Sequence, residues 1–371
     1  MISRKRFAAA LAVILMTLGS LTAAAKQGKQ NQTADAGARE RAVLWTRPDD
    51  IKTRNLYYGP GGAADAPQGV CTFEKEDRKG TSPKFIVRDE NGVRWKVKLG
   101  PEARPETVAS RVVWAVGYRT NEDYFLPELH VEGLPDHLRR GQQFVGPNGI
   151  VRGARLKRYL PGEKKIGDWR WGGSRFTDTR ELAGLRVMMA LINNWDLKDD
   201  NNSIYRVKHP GGSSRAEEIY MVSDLGASFG TTGLDWTQRL SKGNLKSYRN
   251  SKFIDKVTPQ YVDFNVPTRA SIIHIFDLPA YIMRLRLRWI GKRVPRADVR
   301  WITQFLEQLS PQQIGDAFRA AGYSANEVDG FSGVVEKRIA ELEKIRGPLA
   351  AVRYPAKSPI RASRSSSAAA N

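Results

Sequence analysis

A fixed order of local patterns in the middle of the chain constrains the fold most strongly. A helical spacing of leucine, methionine and isoleucine side chains runs from Asp178 to Asn193. The polar loop that follows, Asn193 to Asn202, contains three aspartates and four asparagines. Two short strand-like runs, Ser203 to Val207 and Glu218 to Val222, come next and end at Asp224-Leu225-Gly226. The sequence therefore predicts a helix, an Asp-rich loop, a hairpin and a second acidic loop.

This Asp-rich loop is unusual because the chain of 371 residues carries a formal net charge of +21. Carboxylate and amide oxygens are the ligands that hard cations prefer, so the loop is a candidate cation site. A calcium loop of the EF-hand type that starts at Asp196 is excluded. Its sixth position is Asn201 where glycine is required, and its twelfth is Val207 where glutamate is required.

The two ends of the chain differ in composition from its middle. Arg4, Lys5 and Arg6 precede an apolar run and three small residues that end at Ala25, which predicts a signal peptide over residues 1–25. A retained membrane anchor is the alternative. Residues 26–45 are predicted to be a linker and residues 347–371 a disordered basic tail. We expect an exported protein, located in the periplasm or outside the cell.

Strand-like patterns dominate residues 46–160, and helical patterns dominate residues 161–346. Lys84 to Arg88 and Arg94 to Leu99 flank an Asn-Gly turn, which favours a hairpin, and Val145 to Tyr159 reads as a further strand. Pro105 opens a helical pattern. Later apolar periods lie at residues 271–290, 297–309, 311–321 and 331–345. The predicted fold class is α+β.

Three segments resemble protein kinases. Asp196-Leu197-Lys198-Asp199-Asp200-Asn201 resembles the catalytic loop, in which an Asp is followed five residues later by an Asn. Asp224-Leu225-Gly226 resembles the Asp-Phe-Gly element, and Trp95-Lys96-Val97-Lys98 resembles the strand whose lysine contacts the nucleotide phosphates. The order of these segments is similar to that of atypical kinases, in the style of the HipA-like and the secretory or spore-coat kinases.

The resemblance implies a two-lobed fold that binds ATP and Mg²⁺ or Mn²⁺ between a strand-rich lobe, residues 46–160, and a helical lobe, residues 161–346. The implied catalytic residues are Asp196 and Lys198. The implied metal ligands are Asn201 and Asp224. The residues implied in nucleotide binding are Lys98, its partner Glu106, and the loop residues Gly80, Thr81 and Ser82.

Several assignments stay open at this stage. Lys96 competes with Lys98 for the nucleotide, and Glu102 competes with Glu106 as the partner of that lysine. Because Trp95, Val97 and Leu99 alternate on one face of the strand, the lysines between them are also expected on a solvated face. The chain lacks a Gly-x-Gly-x-x-Gly loop, and Asn194-Trp195 replaces the His-Arg of ordinary kinases. The acceptor is therefore open among a protein, a glycan and a lipid.

Two rival functions remain. Gly226-Ala227-Ser228-Phe229-Gly230 fits the Gly-x-Ser-x-Gly element of serine hydrolases, with His274 as the candidate base. A non-catalytic binding module is the other rival, because ATP is scarce outside the cytoplasm. The single cysteine, Cys71, excludes an intrachain disulfide. The basic surface favours acidic partners or an anionic envelope surface, and no specific nucleic-acid motif is present.

The signal-peptide interpretation makes a direct prediction. N-terminal sequencing of the protein from the cell-envelope fraction should give a mature chain that begins near Lys26. A soluble cytoplasmic protein that retains residues 1–25 would contradict the predicted export.

Overall fold

The computed structural model describes residues 41–207, 216–231, 241–266, 282 and 285–345. Strands and helices are interspersed along them, so the α+β expectation is confirmed. The strands are β1 Arg41–Val43, β2 Cys71–Glu76, β3 Lys84–Arg88, β4 Arg94–Lys98, β5 Asp123–Glu132, β6 Ile150–Arg158, β7 Glu163–Gly167, β8 Asn202–Val207, β9 Glu217–Val222, β10 Ile254–Val257, β11 Tyr261–Phe264 and β12 Val294–Pro295. The α-helices are α1 Ala103–Ala115, α2 Arg180–Leu191, α3 Leu245–Asn250, α4 Arg296–Leu306, α5 Pro311–Ala320 and α6 Ala325–Glu343. None of these helices is long and apolar enough to cross a bilayer.

Five strands close into a small barrel in the order β2-β3-β4-β6-β5. The predicted hairpin is confirmed, since β3 and β4 pair antiparallel and Gly92 in their turn adopts a φ of 75° that favours glycine. Trp95, Val97 and Leu99 lie in the core inside the barrel, as their alternation predicted. The indole N–H of Trp95 donates to the Asp89 carboxylate at 2.8 Å, which satisfies a polar group that would otherwise be buried without a partner.

Two predicted boundaries around the barrel shift by a few residues. The strand predicted from Val145 begins only at Ile150, because a 3₁₀ turn over Pro147–Gly149 places two residues at positive φ. Helix α1 begins at Ala103, two residues before Pro105. Proline is tolerated there because the first turn of a helix has N–H groups without intrahelical partners.

A four-stranded sheet, in the order β1-β9-β8-β7, contains the predicted hairpin as β8 and β9. Strand β1 pairs in parallel with β9, and Trp45 stacks edge-to-face on Trp301 with ring centroids 4.7 Å apart. Residues 41–45 therefore form ordered structure, and the linker predicted over residues 26–45 does not extend into them. The predicted signal peptide, the rest of the linker and the tail at 347–371 lie outside the described residues.

A second and larger core joins α1 and α2 to the helices of the last third. Helices α4 and α5 match the predicted periods at 297–309 and 311–321. Helix α6 begins six residues before the predicted period, because Ser324 and Glu327 form a capping box at its start. Most of the period predicted at residues 271–290 lies outside the described residues.

The end of α2 is held by a buried arginine from α6. The Arg338 guanidinium donates to the carbonyl oxygens of Ala190 and Leu191, at 3.1 and 2.9 Å, and lies 4.1 Å from the centroid of the Tyr248 ring. The Tyr248 hydroxyl donates to the Leu191 carbonyl at 2.6 Å. Because the last carbonyls of a helix have no partner within the helix, these contacts fix the point from which the Asp-rich loop departs.

Replacing Arg338 should test this anchor. Arg338→Ala removes one donor from each of two buried carbonyls and the guanidinium that packs on the Tyr248 ring. We expect the free energy of unfolding to fall by about 3 kcal/mol in urea denaturation. Lys337→Ala, which alters the exposed neighbour on the same helix, is the control and should have little effect. Equal stability of both variants would contradict an anchoring role.

Candidate active site

The centre of the site is the Lys98 ammonium group. Lys98 is only 2% exposed, so the expectation that it lies on a solvated face is wrong. Its Nζ atom lies 2.8 Å from Glu106 Oε2 and 3.2 Å from Asp224 Oδ1. Lys96 pairs instead with Asp77 at 2.9 Å and keeps a third of its side chain exposed. The structure thus brings Lys98, and not Lys96, to the predicted site residues.

The burial of Lys98 follows from the packing of α1. Helix α1 lies against β5 and β6 on the outside of the barrel and presents Glu106 in its first turn. Glu106 is 1% exposed and pairs with Arg155 of β6, which in turn pairs with Asp123 of β5 at 3.2 Å. Buried charges require partners of opposite sign, and this chain of pairs provides them.

Lys98 and Asp224 are both charged at neutral pH. Burial by itself would lower the pKa of Lys98, but the charges of Asp224, Glu106 and Glu102 outweigh it and raise that pKa above its usual value. Burial would raise the pKa of Asp224, but the Lys98 charge outweighs this effect and lowers it. The pair therefore persists as an ion pair across the physiological range.

Backbone contacts join the two acidic loops. The Asn201 carbonyl accepts from the N–H groups of Ser223 and Asp224, at 2.8 and 3.3 Å. The Trp195 N–H donates to the Ala227 carbonyl at 3.1 Å. Asn201 Nδ2 donates to the Asp196 carbonyl at 2.7 Å, so the side-chain oxygen of Asn201 takes no part in this contact. Asn201 and Asp224 are thus placed together, as the sequence predicted.

Asp196 and Lys198 lie at the more exposed side of this unit. The Lys198 ammonium is 3.3 Å from Asp196 Oδ1, with side chains that are 41% and 30% exposed respectively. The Asp196 N–H donates to Asn194 Oδ1 at 3.0 Å. Among the described residues, no hydrogen bond or ion pair joins the Asp196 carboxylate to Lys98 or Asp224. Because 30% of the Asp196 side chain is exposed, its carboxylate is accessible to a molecule from solvent.

The other two aspartates of the loop, Asp199 and Asp200, have surroundings that differ from those of Asp196. Asp199 Oδ1 accepts the Trp171 N–H at 3.2 Å, and Asp200 is exposed within the 3₁₀ turn Asp199–Asn201. Asp199 thus holds the loop to the segment at Trp171, and Asp200 lies on the surface of the turn.

The loop over residues 77–83 joins β2 to β3 and contributes one group to the site. Gly80 has a φ of 68° and, like Thr81, is exposed. Ser82 Oγ donates to Glu102 Oε2 at 2.7 Å. Of the three predicted loop residues, Ser82 is thus connected to the Lys98 cluster, whereas no described contact connects Gly80 or Thr81 to it.

Sequence reasoning named Glu102 as the alternative to Glu106, and it missed Lys84, Arg155 and Lys242. Glu102 lies 2.5 Å from Lys98, so Lys98 contacts both candidate glutamates. Lys84 stands directly opposite Lys98 in the β3–β4 register, and burial together with the Lys98 charge lowers its pKa. No described residue forms an ion pair or a hydrogen bond with the Lys84 ammonium. The predicted hairpin register could have revealed Lys84, but no local signal marks Arg155 or Lys242.

The oxygen atoms of Asp224 and Asn201 could hold a metal ion. Within the described ranges, no group of three or more His, Cys, Asp or Glu side chains is arranged to hold one. Two protein oxygens suit Mg²⁺ or Mn²⁺ better than zinc, because such ions complete their shell with water and phosphate oxygens.

Ser228 does not fit the hydrolase alternative. Its side chain is fully buried, and no described group forms a hydrogen bond with its hydroxyl. The strained position of this segment is Phe229, with a φ of 54°, whereas a nucleophile elbow holds its serine exposed on the turn. His274 lies outside the described residues.

No protein-family profile and no curated protein matches this chain. Solved structures similar to it include the Helicobacter pylori proinflammatory kinase CtkA, at 10% identity, with 74% of this chain and 95% of that chain covered and a TM-score of 0.39. A Golgi casein kinase matches at 11% identity, covering 78% and 77% with a TM-score of 0.30. A Golgi casein kinase with Mn/ADP bound matches at 11%, covering 74% and 75% with a TM-score of 0.28. TM-scores below 0.5 do not establish a shared fold, so functional conclusions depend on the site itself.

The burial of Ser228 gives a testable expectation. A serine-directed fluorophosphonate should not label the folded protein at Ser228, because the reagent cannot reach the hydroxyl. Mass spectrometry of the labelled peptides measures this, and Ser228→Ala is the control for background. Labelling of Ser228, with an esterase activity that the variant lacks, would restore the hydrolase alternative.

Proposed function

We propose that this protein is an exported, two-lobed, kinase-like phosphotransferase that binds ATP with Mg²⁺ or Mn²⁺ and transfers a phosphate to an acceptor hydroxyl. One observation carries the proposal. The buried Lys98 ammonium lies between Glu106 and Asp224, at 2.8 and 3.2 Å, although the three residues come from three separate segments that the sequence assigned to one nucleotide site.

In this proposal the barrel and the larger helical core are the two lobes, and the phosphates bind where Lys98 meets Asp224. Lys98 supplies a fixed positive charge, since its ion pairs keep it protonated. Lys84 supplies a second, because its ammonium forms no ion pair with described residues. The loop over residues 77–83, with Gly80, Thr81 and Ser82, covers the phosphates from the barrel side.

Asp224 and Asn201 are the residues we assign to the metal ion. The Asp224 side chain is 39% exposed, and only one of its oxygens contacts Lys98, so the other can bind a cation. The Asn201 amide nitrogen donates to the Asp196 carbonyl, and no described residue forms a hydrogen bond with its side-chain oxygen. The bound ion neutralises negative charge that develops on the phosphates.

Asp196 is the residue we assign to the acceptor, and Lys198 is the cation beside it. In the transfer step, the acceptor oxygen forms a bond to the γ-phosphorus while the bond from that phosphorus to the bridging oxygen breaks and ADP leaves. The proton of the acceptor hydroxyl passes to the Asp196 carboxylate, which positions the hydroxyl beforehand.

We infer export from the predicted signal peptide. Export favours an alternative function, a binding module without catalysis. A kinase-like binding module without catalysis would also retain the Lys98 cluster, and ATP is scarce outside the cytoplasm. The formal charge of +21 supports an acidic acceptor or contact with an anionic envelope surface in either case.

Two aspartate variants separate binding from transfer. Asp224→Ala should weaken the binding of ATP in the presence of Mn²⁺, because the metal loses a carboxylate, and isothermal titration calorimetry measures this loss. Asp196→Asn should leave binding nearly unchanged and lower turnover by about 10²- to 10⁴-fold, the range typical of a lost general base.

Asp200→Asn is the matched control, since Asp200 belongs to the same loop but lies exposed in its turn. It should alter neither nucleotide binding nor turnover. Metal-dependent binding of ATP without turnover would favour the binding module. Equal effects of all three substitutions, or no binding by the unmodified protein, would contradict the proposed function.

A further inference from the structure

Glu102 connects three segments around Lys98. Its Oε2 atom lies 2.5 Å from Lys98 Nζ and accepts a hydrogen bond from Ser82 Oγ at 2.7 Å, while its Oε1 atom pairs with Lys242. Ser82 belongs to the loop over residues 77–83, and Lys242 follows the acidic loop at Asp224. One carboxylate therefore joins the barrel loop, the central lysine and the segment beyond Asp224.

The two glutamates that contact Lys98 differ in their surroundings. Glu106 is 1% exposed, and Arg155 pairs with its other oxygen from within the barrel wall. Glu102 precedes α1, makes no side-chain cap on that helix, and its side chain is 12% exposed. Both Glu106 oxygens are thus held by buried cations, whereas Glu102 lies before the helix with a carboxylate that is partly exposed.

Packing holds Glu102 against the second acidic loop. A Cβ atom at Gly226 would lie 2.7 Å from Glu102 Cβ, closer than real Cβ contacts. Position 226 therefore requires glycine, because the Glu102 side chain lies against the backbone there.

The groups that Glu102 engages are groups that the proposed function assigns to phosphate. The Lys98 ammonium and the Ser82 hydroxyl donate to this carboxylate, and a phosphate needs the same donors. The Lys98 ammonium has three N–H groups and contacts Glu102, Glu106 and Asp224. The single donor of Ser82 is bound to Glu102, so a phosphate that uses these donors has to displace a carboxylate. We propose that Glu102 is an internal competitor for the nucleotide phosphates, which holds the Ser82 loop and Lys242 together until the nucleotide displaces it.

This inference depends on the proposed function for its ligand but makes a separate prediction. If Glu102 occupies the phosphate position, removing its charge should strengthen nucleotide binding. If Glu102 instead binds the metal ion, the same change should weaken it. The direction of the change in nucleotide affinity therefore decides whether Glu102 competes with the phosphates or binds the metal ion.

The experiment compares Glu102→Gln with the unmodified full-length protein. We expect Mn²⁺-ATP to bind the variant about tenfold more tightly in isothermal titration calorimetry, because the like charge is removed and the side-chain shape is kept. Glu128→Gln, an exposed glutamate on β5, is the matched control for net charge and should bind like the unmodified protein.

A second measurement does not depend on nucleotide. Without ligand, backbone amides in residues 77–83 and 241–243 should exchange hydrogen faster in Glu102→Gln, because the contact that joins the two segments is lost. Unchanged exchange in both segments would overturn the proposed contact. The same measurement shows whether the variant remains folded, since backbone amides inside the barrel should keep their protection from exchange.

The outcomes separate the two proposals. Binding by the unmodified protein, with equal or weaker binding by Glu102→Gln, overturns the competition and leaves the proposed function standing. Absence of nucleotide binding in both proteins overturns both. Tighter binding by the variant, with the control unchanged, supports both.

Discussion

The buried ion pairs that begin at Lys98 hold the site together. Lys98 pairs with Glu106, Glu106 with Arg155, and Arg155 with Asp123, so strand β4, helix α1 and strands β6 and β5 are joined in turn. Charges in a weakly polar interior are costly unless paired, and loss of one partner leaves the next uncompensated. The position of α1 on the barrel is therefore set by charge pairing as well as by apolar packing.

This arrangement is not explained by stability alone. Well-packed hydrophobic residues of similar volume can replace a buried ion pair with equal or greater stability. The chain nevertheless places Lys98 where it also contacts Asp224, a residue of the segment beyond the barrel, whose side chain is 39% exposed. This network of ion pairs is buried at Asp123 and exposed to solvent at Asp224. Its exposed side, with Lys98 and Asp224, is suited to binding an anion and a cation.

Local sequence patterns predicted the parts of the site but not their burial. The Asn-Gly turn and the alternation of Trp95 and Val97 predicted the β3–β4 hairpin, and the order of helix, loop and hairpin placed Asn201 near Asp224. The same alternation placed Lys98 on a solvated face, and this was wrong because α1 covers that face. Strand β1 was missed for a similar reason, since its pairing with β9 depends on residues far away in the chain.

The charge distribution separates the site from the rest of the surface. Four cations and four carboxylates meet around Lys98: Lys84, Lys98, Arg155 and Lys242, with Glu102, Glu106, Asp123 and Asp224. Their formal charges cancel, so the net charge of +21 must come from residues outside this cluster. A nearly neutral site selects its ligand by the placement of donors and not by long-range attraction. A net positive charge of this kind acts on anions at longer range than the contacts of the site do.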